Sequence, residues 1–111
     1  MSRLEDIAPD RWQELTSAPF AVLVLGKTDC PACADWSAEL ERFLEQDREF
    51  EHVRFGKIML DRPGFGSFKK ANPWLTELDV LPYTQLYRNG ERVKGFAGGG
   101  IERLTNRLRK S

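Results

Sequence analysis

Cys30-Pro31-Ala32-Cys33 holds both cysteines of the chain, with Asp29 before the pair and Ala34-Asp35-Trp36 after it. Two thiols separated by two residues can be a redox dithiol, half of a zinc site, a structural disulfide or an inert pair. Zinc normally takes four ligands. The only histidine, His52, lies in a charged turn, so a zinc site would have to be completed by carboxylates, and no metal is expected. A disulfide closing so short a loop removes little chain entropy. Thiol–disulfide exchange is the leading reading, with an inert pair as the bland alternative.

That chemistry needs a sulfur whose thiolate is favoured. At a helix N-terminus the unpaired backbone N–H groups and the positive end of the macrodipole provide this. They lower a cysteine pKa from about 8.5 to roughly 3.5–7.5. Cys30 is the nearer of the two to such an end and is expected to attack. Cys33, one turn later, is expected to resolve the mixed disulfide. Asp29 puts a negative charge beside Cys30 and opposes the same ionisation. Helix and neighbour therefore pull in opposite directions.

The elements that must position these residues are legible as patterns. Residues 20–25, Phe-Ala-Val-Leu-Val-Leu, form a continuous apolar run that suits a strand buried on both faces. Trp36, Leu40, Phe43 and Leu44 then recur at helical spacing, predicting an amphipathic helix over 30–46. A second buried strand is predicted over 53–60, a loop over 61–66, and a weaker helix within 67–78, interrupted near Asn72-Pro73. Asn89-Gly90 between residues 83–88 and 91–96 is a strong hairpin signal. Gly98-Gly99-Gly100 breaks the structure before a last helix carrying Ile101, Leu104 and Leu108. Ahead of all these, residues 7–15 suggest a short amphipathic helix with Pro9 in its first turn. The order α, then β-α-β-α-β-β-α, joins a parallel unit to an antiparallel hairpin, giving an α/β fold with helices on both faces of a mixed sheet.

Bulk properties bound the rest. The chain has 111 residues, enough for one domain over residues 1–111 with a modest core. Its 17 basic and 17 acidic side chains cancel, so nothing global favours nucleic acid or an anionic membrane surface. The longest apolar run is too short to span a bilayer, and residues 1–12 lack the apolar core of a signal peptide. The expected location is the cytoplasm, where thiols stay reduced.

The dithiol after a buried strand and at the start of a helix, Val80-Leu81-Pro82 opening the hairpin, and Gly98 beyond Asn89-Gly90 together resemble the thioredoxin family. The resemblance spans roughly residues 19–110. It implies a thioredoxin-like fold, a mixed four-stranded sheet flanked by helices, here with an extra N-terminal helix. It further implies that Pro82 is a cis-proline facing the dithiol, and that Leu81, Pro82 and Gly98 bind an extended substrate segment. Protein disulfides would then be the substrates, and a thioredoxin-reductase-like enzyme would recycle the pair. No cofactor is implied, since the dithiol is itself the redox centre.

Lys27, three residues before Cys30, is also similar to a glutaredoxin start, which would bring glutathione into play. Gly98 lies sixteen residues beyond Pro82, a spacing that resembles thioredoxin instead. Two departures stand out. The buried acid that thioredoxins carry six residues before the first cysteine is Val24 here, and the aromatic that precedes that cysteine is Asp29. Lys57, on the second strand about where the family has a lysine, is a candidate with Asp29 for tuning the dithiol. These departures motivate a second expectation, a binding or redox-sensing module with little turnover.

Overall fold

The computed structural model of the chain describes residues 2–111. Its elements are β1 (Leu4–Asp6), α1 (Trp12–Thr16), β2 (Phe20–Gly26), α2 (Pro31–Gln46), β3 (Arg54–Met59), α3 (Gly66–Ala71), a 3₁₀ turn (Pro73–Glu77), β4 (Tyr83–Arg88), β5 (Glu91–Ala97) and α4 (Ile101–Arg109). The strands form one sheet in the order β1-β3-β2-β4-β5. β1 and β2 both run parallel to β3, while β4 is antiparallel to β2 and to β5.

The apolar run of β2 occupies the middle of this sheet, and every one of its residues is buried. Side chains alternate across a strand, so β2 feeds two cores. Val22 and Val24 face a cluster with Trp36, Leu40, Leu44, Phe55, Leu86, Phe96, Leu104 and Leu108. Ala21, Leu23 and Leu25 face another with Leu15, Ile58, Phe65, Phe68 and Tyr87. Helices α2 and α4 thus cover one face, and α1 and α3 the other. The hairpin turn is made by Asn89 at φ +52° and Gly90 at φ +85°, the backbone that an Asn-Gly pair accepts readily.

The sheet has five strands, not the four expected. Leu4–Asp6 is too short to show alternation, and it is held instead by partners distant in sequence. Leu4, Glu5 and Asp6 pair with Phe55, Gly56 and Lys57, and the guanidinium of Arg54 grips the Glu5 carboxylate at 2.7 and 2.9 Å. Arg3 donates to the Phe50 carbonyl at 2.7 Å and to Asp47 at 3.1 Å. The N-terminal helix is also shorter and later than the 7–15 expected. Ile7 stays with the sheet, its N–H donating to the Lys57 carbonyl at 3.0 Å, and the helix starts only at Trp12, leaving Pro9 outside it.

Candidate active site

The approach to the cysteines is a short bend between the end of β2 and the start of α2. Asp61, just past β3, accepts hydrogen bonds from the Thr28 hydroxyl and, at 3.1 and 3.2 Å, from the Thr28 backbone N–H. These bonds, the hydroxyl foremost, hold the Asp61 pKa below the usual carboxylate value. Asp29 then turns the chain at φ +55°, a left-handed conformation that Asp tolerates better than most residues.

Cys30 caps α2 and Pro31 fills its first position, where proline loses no hydrogen bond. The Cys33 backbone N–H donates to Cys30 Sγ at 3.2 Å. A disulfide joins the two cysteines, whose Cα atoms lie 5.2 Å apart. Cys30 is half-buried, whereas Cys33 is buried. An approaching sulfur therefore has readier access to Cys30, and the N–H aimed at Cys30 Sγ is the kind of donor that favours a thiolate.

On one side of the disulfide lies the start of β4. The Leu81–Pro82 peptide is cis, Pro82 is buried, and Val80 beside it is 54% exposed. The Leu81 carbonyl oxygen is 4.0 Å from Cys30 Sγ. With both sulfurs in the disulfide there is no S–H to donate, so this is proximity rather than a hydrogen bond. Gly98, at φ +82°, donates its N–H to the Pro82 carbonyl at 2.7 Å. Cys30, Leu81, Pro82 and Gly98 are thereby gathered at one corner of the sheet.

On the other side is a pocket of about 770 Å³ whose lining includes Val24, Gly26, Cys33, Ala38, Lys57 and Met59, with Lys27 and Asp29 also contributing. Val24, 2% exposed, is the register partner of Lys57 on β3. The ion pairs among the described residues, Arg3–Asp47, Arg11–Glu14, Arg54–Glu5 and Arg109–Glu49, do not include Lys57. Val24 in place of an acid therefore leaves the lysine facing an apolar neighbour. The structure divides the predicted residues: Leu81, Pro82 and Gly98 on one side of the cysteines, Lys57 on the other, with Asp29 at the bend. Among the described residues no group of three or more His, Cys, Asp or Glu is placed to hold a metal, and no helix is long and apolar enough to cross a membrane.

Sequence reasoning missed two links to this site. One is the Thr28–Asp61 tie, whose partners are 33 residues apart. The other starts at Trp36, which the sequence places on the apolar stripe of the helix after the cysteines. Its indole N–H donates to Thr84 Oγ1 at 3.1 Å, and Thr84 Oγ1 lies 3.1 Å from the Gly98 carbonyl. A tryptophan on the apolar stripe of a helix, a threonine in a buried strand and a glycine run were each visible, but not that they meet.

This arrangement matches known structures over almost its whole length. A thioredoxin of Malassezia sympodialis superposes with a TM-score of 0.76 at 15% identity, covering 99% of this chain and 91% of its own. Thioredoxin f2 of Chlamydomonas reinhardtii superposes at 0.75 and 21% identity, with 96% and 94% covered. Oxidised mitochondrial thioredoxin 3 of Saccharomyces cerevisiae gives 0.74 at 16%, with 97% and 95% covered. The chain has a thioredoxin fold. No protein-family model and no curated protein matches the sequence, so the likeness is one of architecture, joined here to a disulfide-forming Cys-x-x-Cys pair.

Proposed function

We propose that the protein is a thiol–disulfide oxidoreductase that reduces protein disulfides, acting as one domain over residues 1–111. The observation that carries this reading is the position of Cys30: at the cap of α2, bonded to Cys33, with its sulfur 4.0 Å from the Leu81 carbonyl. In the reduced protein the Cys30 thiolate attacks one sulfur of a substrate disulfide. The S–S bond breaks, and the other substrate sulfur leaves with the electron pair and takes up a proton. Cys33, as its thiolate, then attacks Cys30 Sγ in the mixed disulfide. The second substrate thiol departs, and the Cys30–Cys33 disulfide forms.

Leu81 and Pro82 supply the docking edge, with Gly98 behind Pro82, so an extended segment laid along Leu81 brings its sulfur in line with Cys30. Asp29 and Lys57, which line the same pocket beside the dithiol, tune the pair. A reducing partner, of the thioredoxin-reductase kind, must return the disulfide to the dithiol. Continued turnover also needs a compartment that keeps thiols reduced, which is the argument for the cytoplasm.

Turnover with a disulfide-bonded protein and dithiothreitol as reductant tests the reading. Wild type should reduce the substrate well above the uncatalysed rate, and Cys30→Ser should fall to that background. A wild type no faster than Cys30→Ser ends the oxidoreductase reading and leaves the binding or redox-sensing module, for which the apolar Val24 and the acidic Asp29 speak.

A further inference from the structure

Trp36 would be an ordinary core residue if only its ring mattered. It is 4% exposed and sits among the apolar side chains between α2 and the sheet. The indole N–H, however, is a donor that burial makes costly to leave unpaired, and its partner is specific. Thr84 Oγ1, on a fully buried residue, accepts it at 3.1 Å. An indole N–H only donates, so the single hydroxyl proton of Thr84 is free to go the other way, to the Gly98 carbonyl at 3.1 Å. The Gly98 N–H in turn donates to the Pro82 carbonyl at 2.7 Å. Three hydrogen bonds, each with its direction set, lead from α2 to the loop that faces Cys30. Trp36 is three residues, about one helical turn, beyond Cys33. The same ring supports Gly99, where an added Cβ would lie within 2.8 Å of three indole carbons.

We propose that Trp36 is a positioning residue: through Thr84 and Gly98 it fixes the Leu81–Pro82 docking edge relative to the dithiol carried on its own helix. This rests on the proposed function, because it concerns how an extended disulfide-bearing substrate is held in line with Cys30. Trp36 is not among the residues that line the pocket beside the dithiol. Its effect falls on alignment, so it is felt by a substrate that uses the docking edge and not by a small disulfide that reaches Cys30 without it.

Trp36→Phe keeps an aromatic ring over Gly99 and removes the N–H, while Thr84→Val keeps the side-chain shape and removes the hydroxyl. Each should raise KM for a disulfide-bonded protein by about three- to tenfold, the size expected for one net hydrogen bond. In each, kcat should stay within about twofold, as should kcat/KM for an aromatic small-molecule disulfide such as dithiobis(nitrobenzoate). The double variant should be no worse than the poorer single one, since both break the same chain. Hydrogen exchange of the Gly98 amide, which needs no activity, should quicken in both variants.

Unchanged Gly98 exchange, or an unchanged protein KM, overturns the proposal. So does an equal loss on protein and small-molecule substrates, which would mark a general structural role. A wild type that reduces no protein disulfide overturns the proposed function instead, and Gly98 exchange then still decides whether the coupling exists.

Discussion

Gly99→Ala is a small perturbation with a large expected effect. The φ of Gly99 lies outside the left-handed region, so alanine meets no backbone objection there, and the whole cost comes from contact. A Cβ at this position would have three indole carbons of Trp36 within 2.8 Å, where carbon atoms prefer about 3.5–4.0 Å. The ring cannot readily swing aside, because it is buried and its N–H is held by Thr84. Overpacking of this kind costs about 1–3 kcal/mol. If the indole does shift, losing the Thr84 bond adds about 1 kcal/mol. For a chain of this length each kcal/mol lowers Tm by roughly 4–8 °C. Gly66→Ala is the internal control. Gly66 begins α3, its φ lies outside the left-handed region and its added Cβ meets nothing within 4 Å, so alanine should stabilise by about 0.4–1 kcal/mol, chiefly by restricting the unfolded chain. Urea denaturation of oxidised protein, followed by circular dichroism, measures both. A Gly99→Ala variant within about 0.5 kcal/mol of wild type would refute the contact argument and weaken the case for Trp36 as a fixed support.

Tyr87 is buried, its hydroxyl has no partner among the described residues, and burial pushes its pKa up to about 12 despite the opposing charge of Arg92. Tyr87→Phe removes the unpaired group and should raise stability by about 1 kcal/mol in chemical denaturation; a clear loss would show that the hydroxyl is satisfied. The Asp61 carboxylate has a pKa lowered by the Thr28 hydrogen bonds, so its share of stability is complete above the unfolded carboxylate value, near pH ~4. That share fades as pH falls through the lowered folded value. The stability gap between wild type and Asp61→Asn should therefore narrow in acid, and a gap that widens would contradict the assignment. Asp29→Asn suits the same left-handed turn at φ +55° and removes only the charge. The thiolate absorbance of the reduced variant should rise at a lower pH than in wild type, less so in high salt.

Much of this fold was legible because local pattern and tertiary role agree. The run from Phe20 to Gly26 is apolar at every position and is the strand buried on both faces. Asn89-Gly90 turns where such a pair turns most easily, and Pro31 starts the helix that Cys30 caps. β1 was hidden because three residues show no period, and what holds them comes from Arg54 and β3, about fifty positions away. Pro9 suggested an early helix start, yet Ile7 is worth more in the core against Leu15 and Ile58 than in a first helical turn. At the site, Cys30, Cys33 and Pro82 announce themselves by type and spacing. Trp36 and Thr84 do not, since a buried hydrogen bond across 48 residues leaves no trace in the pattern of either segment.

Trapping of mixed disulfides tests the central claim, that Cys30 attacks and Cys33 resolves, more directly than any rate. Reduced Cys33→Ser and reduced Cys30→Ser are each incubated with a disulfide-bonded protein, quenched with an alkylating agent and run on a non-reducing gel. Cys33→Ser should accumulate a covalent adduct that dithiothreitol dissolves, while Cys30→Ser, whose remaining sulfur is buried, should give little. Equal trapping by the two variants, or adducts only with Cys30→Ser, would contradict the account.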